Sequence, residues 1–276
     1  MKDSEGNPIS AVSIISNLGW ALGYFGMPHI LIRFMAIKSD REVKKSRVIA
    51  IVWVVLSLGA ASLLGIFARG FLSEQLDSTT SESVFIRTIL EIFDGNFVLI
   101  FIGGIFLCGI LAAIMSTADS QLLVTASAVS EDMYKGVIDK KASEKKALLI
   151  GKIAVVAVAI IAYVIALNPN SSIMGLVSNA WAGFGAAFGP VILLSLFWKR
   201  FNLPGAIAGM ATGAAFVIFW EYIPVNGEVL ASTTGLYSLV GGFFLAAAVA
   251  VIVTLCTKAP SKEIQDEYDT VSTIEI

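Results

Sequence analysis

Charged residues are scarce in this chain of 276 residues, and their scarcity excludes an ordinary water-soluble domain. Asp, Glu, Lys and Arg make up only 14% of the sequence, whereas hydrophobic residues make up 57%. The mean hydropathy is +0.83. A typical soluble domain carries about 25% charged residues. The composition therefore indicates a protein that lies in a membrane.

Residues that carry enzymatic chemistry are also few. The sequence has one histidine, His29, and two cysteines, Cys108 and Cys256. It contains neither a phosphate-binding glycine loop nor the Cys and His spacing of a zinc site. A single imidazole leaves little scope for acid–base catalysis near neutral pH. These absences disfavour a membrane enzyme and leave a transporter or a channel as the expected class.

Long uncharged runs dominate the sequence instead. A helix needs about 20 apolar residues to cross the hydrocarbon core of a bilayer. The runs are continuous rather than alternating, which favours helices over barrel strands, because a backbone in lipid must satisfy its own hydrogen bonds. The predicted spans are 11–32, 48–68, 95–128, 147–167, 173–198, 204–220 and 236–256. The sequence thus predicts an all-α polytopic membrane protein of about seven helices, with its membrane domain over residues 1–256.

Two segments outside these runs have distinct compositions. The loop 71–94 carries hydrophobic residues at roughly helical spacing, which predicts a short surface helix. This helix would be either a lid over an outer cavity or an interfacial connector. The tail 257–276 is polar and acidic without periodicity, so it is predicted to be disordered in the cytosol.

The distribution of basic residues predicts the orientation. Most of the 19 Lys and Arg residues fall in the segments that follow the first, third, fifth and seventh runs. Only Lys2, Arg69 and Arg87 fall in the segments on the opposite side. Cytoplasmic loops carry an excess of Lys and Arg. We therefore expect the N-terminus outside and the C-terminus in the cytosol.

The first run contains several helix-breaking residues. Gly19, Gly23, Gly26 and Pro28 fall within ten positions. Proline removes a backbone donor, and each glycine lowers helix propensity by up to about 1 kcal/mol. The pattern predicts an interrupted helix, and unwound backbone at membrane depth is tolerated where it is buried or lines a cavity.

Trp20 and Tyr24 lie one helical turn apart beside this break. Two aromatic rings next to exposed backbone suit a small amphipathic solute, because the rings give apolar contact and the indole N–H and phenol give hydrogen bonds. Glycine in a membrane helix also serves close packing, and Trp or Tyr also occurs in interfacial belts. The residues alone leave a solute site and a packing role open.

Small and hydroxyl residues form one face of the third predicted helix. This face consists of Gly109, Ala113, Ser116, Thr117 and Ser120. Hard cations prefer oxygen ligands, and small side chains let an ion reach backbone carbonyls beside the two hydroxyls of Ser116 and Thr117. The alternative is a close-packed helix interface in which the hydroxyls bond back to carbonyls.

Two further clusters of small residues are better explained by helix packing. Gly205, Gly209 and Gly213 form a repeated small-xxx-small pattern, and the segment 181–189 is rich in Gly and Ala. Such faces allow close approach of neighbouring membrane helices. We predict a structural role for both.

Four separated blocks of sequence resemble the solute:sodium symporter family, in particular its sodium/proline branch. The blocks are 19–30, 110–123, 130–135 and 180–190, and they occur in the order found in that family. The resemblance covers nearly the whole chain except the acidic tail. It implies a fold of two inverted five-helix repeats, of which the first five predicted spans would form the second repeat and the last two would be accessory helices. The first repeat would have to come from elsewhere.

The resemblance also implies two ligand sites on separate helices. The implied solute contacts are Trp20, Tyr24 and Pro28. The implied sodium ligands are Ala113, Ser116 and Thr117.

The leading functional hypothesis is half of a symporter in the plasma (inner) membrane that uses the Na⁺ gradient to take up L-proline. Another small carboxylate or a vitamin would be an alternative solute. A different class, a non-transporting membrane module, also fits a chain that corresponds to half of the family fold. A separate chain could supply the first repeat.

Overall fold

The apolar runs form helices in the computed structural model, which describes residues 8–74, 76–77, 80–168, 172–225 and 227–272. The longer helices are α3 (Asp40–Phe71), α5 (Phe97–Ser127), α6 (Glu144–Ala166), α7 (Ile173–Phe197), α8 (Leu203–Tyr222) and α10 (Ser238–Cys256). The shorter helices are α1 (Ala11–Gly19), α2 (Pro28–Met35), α4 (Val84–Ile92), α9 (Leu230–Thr234) and α11 (Lys262–Ser272). A two-residue antiparallel ribbon pairs β1 (Pro224–Val225) with β2 (Glu228–Val229).

Polar residues mark where several of these helices begin. The Asn96 side chain accepts hydrogen bonds from the amides of Val98 and Leu99, and the Asn202 side chain accepts one from the Gly205 amide. Such caps satisfy donors that have no partner inside the helix. Gly235 follows the last residue of α9, and its φ of +64° is a left-handed conformation that favours glycine.

Six helices within the described part of the chain are long and apolar enough to cross a membrane. They are Glu42–Phe71, Phe97–Ile138, Glu144–Ala166, Ile173–Phe197, Leu203–Tyr222 and Ser238–Cys256. The second of these continues from α5 into a π-helical segment, Ala128–Ile138. The remaining predicted span, 11–32, contains a shorter apolar segment, Ala11–Phe25. The predicted class, an all-α polytopic membrane protein, is therefore confirmed.

The acidic tail differs from its prediction. Residues Lys262–Ser272 form helix α11. Lys199 forms an ion pair with Asp269, and the Gln265 side chain donates to the Pro260 carbonyl at 2.9 Å. The first of these contacts joins the tail to a residue 70 positions away, and the second lies within the tail itself. Residues 273–276 and Lys2 lie outside the described part of the chain.

The chain divides into two compact units. The first contains Met1–Ala36 and Met174–Ile276, and the second contains Ile37–Ile173. The core of the first unit is a cluster of buried apolar side chains on α7, α8 and α10. Its members are Ala182, Ala186, Val217, Leu239 and Phe243.

Glycines let the helices of the first unit approach closely. A Cβ added at Gly213 would lie 2.2 Å from the carbonyl oxygen of Ala186, and one added at Gly209 would lie 2.9 Å from the Cβ of Ala250. A Cβ at Gly205 would overlap the hydroxyl of Thr254. The small-xxx-small pattern of α8 is thus a packing face towards α7 and α10, as predicted.

The second unit contains α3 to α6, and one of these is the predicted surface helix. That helix is α4, and its residues Thr88 and Ile89 are buried. Between the π-helical segment and α6, Lys146 pairs with Asp139 at 3.0 Å. The hydrogen bond from Lys146 is the main cause that holds the pKa of Asp139 below its ordinary value.

Candidate solute and sodium sites

The first predicted span is interrupted where its glycines and proline predict a break. Helix α1 gives way at Trp20 to a 3-10 segment, Trp20–Phe25. Met27 is then extended, with φ −82° and ψ 114°, and Pro28 is the first residue of α2. Proline is tolerated there because the first helical N–H has no intrahelical partner. The chain therefore unwinds between two short helices.

The glycines of this break allow α7 to contact the backbone directly. A Cβ added at Gly23 would lie 2.0 Å from Nε1 of Trp181, and one added at Gly26 would lie 2.4 Å from the Phe184 carbonyl oxygen. A Cβ at Gly185 would lie 2.7 Å from the Cα of Gly23. Part of the break is thus a packing surface, as the small-residue segment 181–189 predicts.

Four aromatic rings cluster at the 3-10 segment, and two of them, Trp20 and Tyr24, belong to it. Trp20 stacks on Trp181, with centroids 5.6 Å apart and planes at 14°, and on Tyr237, at 5.7 Å and 15°. Tyr24 meets Trp181 edge-on at 4.9 Å and 83°. Trp20 is half-buried, whereas 51% of Tyr24 is exposed. Of the two rings, Tyr24 is the one with most surface free for a ligand.

Hydrogen bonds join this cluster to residues of α1 and α7. The Trp181 indole donates from Nε1 to the Trp20 carbonyl at 2.9 Å. The Tyr237 hydroxyl donates to the Ser178 carbonyl at 2.7 Å, and the Tyr237 amide donates to the Ser16 hydroxyl at 3.0 Å. The polar ends of the Trp181 and Tyr237 rings are therefore paired with backbone carbonyls, as is usual for partly buried Trp and Tyr side chains.

The structure brings together two of the three predicted solute residues. Trp20 and Tyr24 both contact Trp181, whereas Pro28 lies at the start of α2 and is half-buried outside the aromatic cluster. The sequence prediction missed Trp181 and Tyr237. Trp181 was visible only as the first residue of a Gly- and Ala-rich packing segment, and a large aromatic ring in such a segment is the signal that could have identified it.

The predicted sodium residues lie in the second unit, on α5. Ala113, Ser116 and Thr117 are all exposed. The Thr117 hydroxyl donates to the Ala113 carbonyl at 3.3 Å, and the Ser120 hydroxyl donates to the Ser116 carbonyl at 2.9 Å. This is the back-bonding common for Ser and Thr in helices.

The chemistry of this face suits a hard cation. Its donors are hydroxyl and carbonyl oxygens, which are the ligands that such ions prefer. In the part of the chain that the structure describes, no group of three His, Cys, Asp or Glu side chains is placed to hold a metal ion.

A comparison with protein families identifies the chain. Residues 3–213 match the model of the sodium:solute symporter family. The chain belongs to this family. Sodium:solute symporters are membrane transporters, which agrees with the predicted class and not with an enzyme.

Individual relatives include named proline transporters. The chain is 45% identical over 254 residues to the osmoregulated proline transporter OpuE of Bacillus subtilis. The aligned residues make up 92% of this chain and 50% of that protein. It is 41% identical over 265 residues to the sodium/proline symporter of Escherichia coli. Here the aligned residues make up 94% of this chain and 50% of that protein. The chain thus spans about half the length of the curated relatives it matches.

Proposed function

We propose that this chain forms the second half of a symporter that couples the entry of L-proline to the entry of Na⁺. Three findings support the proposal: the family membership, the proline transporters among the relatives, and the two chemically distinct faces on α5 and on the broken first span. The alternative solutes are another small carboxylate or a vitamin.

The observation that carries the proposal is the interrupted helix with a half-exposed tyrosine beside it. Unwound backbone in a membrane transporter supplies polar groups for a solute. Tyr24 adds an aromatic surface and a hydroxyl next to that backbone. A ring of this kind suits the apolar ring of proline, and the polar groups suit its charged ends.

We assign the sodium ligands to the hydroxyl face of α5. The ligands would be the Ala113 carbonyl and the hydroxyls of Ser116 and Thr117. A hydroxyl that donates its hydrogen still has lone pairs to offer a cation. Thr117 can therefore keep its hydrogen bond to Ala113 and contribute to the ion site.

The remaining half of the transporter would supply further ligands for both sites. It would come from the same polypeptide or from a separate chain. A chain that acts alone as a non-transporting module is a second candidate. In either case we place the chain in the plasma (inner) membrane with its N-terminus outside.

Uptake by a full-length protein tests the function. This chain would be joined to the first half of the Bacillus subtilis osmoregulated proline transporter, to which it is 45% identical. We expect this chimera to accumulate radiolabelled proline in cells that lack their own proline transporters, and only when a sodium gradient is present.

Two controls complete this experiment. Excess unlabelled carboxylates and vitamins should not compete with proline at similar concentrations, and the chain produced alone should not accumulate proline. If the chimera accumulates a different solute and not proline, that solute is the substrate and the proposal of proline is wrong. Binding of proline without accumulation by the chimera would favour the non-transporting module.

Thiol labelling tests the orientation. Asp94→Cys and Ser143→Cys would be made singly in a chain whose native cysteines, Cys108 and Cys256, are replaced by serine. Both positions are exposed. We expect an impermeant thiol reagent to label Asp94→Cys in intact cells and Ser143→Cys only after lysis, because basic residues concentrate on the side of Ser143. Equal labelling in intact cells would contradict the orientation.

A further inference from the structure

Trp181 makes two contacts with the broken helix from a single side chain. Its indole Nε1 donates to the carbonyl of Trp20 at 2.9 Å, and its ring meets the ring of Tyr24 edge-on at 4.9 Å. Trp20 and Tyr24 are the first and fifth residues of the 3-10 segment. Trp181 therefore contacts the 3-10 segment both at its first residue and near its end.

The indole of Trp181 occupies space that is free because residue 23 is a glycine. A Cβ at Gly23 would lie 2.0 Å from Nε1 and 2.3 Å from Cδ1 of Trp181, far closer than non-bonded atoms approach. Any other residue at position 23 would push the ring away. Gly23 thus permits the close approach of the indole, apart from any effect on helix propensity.

The helix that carries Trp181 is anchored in the core of the first unit. Trp181 is followed on α7 by Ala182 and Ala186, both fully buried in the core of the first unit. A 3-10 segment has poorer internal hydrogen bonds than an α-helix and needs support from outside. The geometry places that support at Trp181, on a helix whose own position is set by the core.

We propose that Trp181 is a positioning residue for solute binding. Its indole holds the Trp20 carbonyl and the Tyr24 ring, so that the 3-10 segment presents Tyr24 to the solute in one orientation. Trp20 is already stacked on Trp181 and Tyr237, so it contributes to the solute site mainly by shaping it, and Tyr24 makes the direct contact. This inference rests on the solute face proposed above.

Trp220 provides a matched control within the same unit. Its indole Nε1 also donates to a backbone carbonyl, that of Leu236, at 3.1 Å. Its ring also stacks on an aromatic neighbour, Phe216, at 5.0 Å. Trp181→Phe and Trp220→Phe therefore remove the same kind of hydrogen bond, and only the first lies at the break.

Amide hydrogen exchange of the 276-residue chain in lipid nanodiscs tests the positioning directly. Trp181→Phe should speed exchange in the peptide covering residues 20–27 by about three- to tenfold, the loss expected for one hydrogen bond. Trp220→Phe should leave this peptide unchanged. Gly23→Ala should act like Trp181→Phe, because the added methyl would displace the indole.

Kinetics in the full-length chimera test the consequence for the solute. Trp181→Phe should raise the KM for proline by about three- to tenfold with little change in kcat or in the sodium dependence. Trp220→Phe should alter none of these. If Trp181→Phe only impaired folding, it would lower kcat, the maximal uptake rate, and leave the KM for proline unchanged.

The outcomes separate this inference from the proposed function. Unchanged exchange in residues 20–27 of Trp181→Phe, or equal effects of the two tryptophan variants, would overturn the positioning role even if proline is transported. A wild-type chimera that takes up no proline would overturn the proposed substrate, while the exchange experiment would still decide the role of Trp181.

Discussion

Replacing Tyr24 with alanine should lower the affinity of the full-length transporter for proline by about one to two powers of ten. The substitution removes a half-exposed ring and its hydroxyl from the 3-10 segment. Losing the partner of a buried polar group costs about 1–3 kcal/mol, and 1.4 kcal/mol is about tenfold in affinity. Sodium binding in the absence of proline should survive, because the hydroxyl face lies on α5.

The measurement is proline binding and Na⁺ binding on the same purified variant. Tyr24→Phe would keep the ring and separate the contribution of the hydroxyl. Tyr163→Ala is a suitable control, because Tyr163 is 67% exposed on α6, a helix that carries neither of the predicted ligand faces. Intact proline affinity in Tyr24→Ala, or the loss of both ligands together, would show that the helix carries no separate solute face.

The second large effect is expected for Thr117→Val in the same full-length protein. Valine keeps the shape of threonine and removes the hydroxyl oxygen proposed as a sodium ligand. Hydrogen bonds and comparable contacts to charged groups contribute about 1.5–3 kcal/mol. We therefore expect the Na⁺ concentration for half-maximal uptake to rise by about ten- to a hundredfold.

Two further variants make this result specific. Ser116→Ala should shift the sodium dependence in the same direction. Leu111→Ala, at a residue of α5 that is 60% exposed, should shift it far less. If the sodium dependence of Thr117→Val is unchanged, the hydroxyl serves only the helix, in agreement with its bond to the Ala113 carbonyl.

The break in the first span shows what local sequence can predict. Glycine and proline act on their own stretch of backbone, through a missing donor and a low helix propensity. The 3-10 segment begins at Trp20 and α2 begins at Pro28, within the stretch that these residues mark. The surface helix α4 was predictable in the same way, from hydrophobic spacing along its own sequence.

The partners of that break could not be predicted in the same way. The hydrogen bond from Trp181 to Trp20 joins residues 161 positions apart. No local pattern records such a pairing. Tyr237 is still farther along the chain, and its role follows only from the folded contacts with Trp20 and Ser178. The ion pair between Asp269 of α11 and Lys199 is another contact between distant residues that no local pattern records.

The sequence by itself determined the membrane class, the approximate helices, the interruption of the first span and the small faces of α8. Each of these follows from how a short stretch of chain meets lipid or a neighbouring backbone, so it can be read from composition and spacing. Only the tertiary structure decided that Trp20 is stacked on two rings while Tyr24 stays half exposed. That difference depends on which distant side chains fill the space around each ring, and packing between distant segments is set by the whole fold.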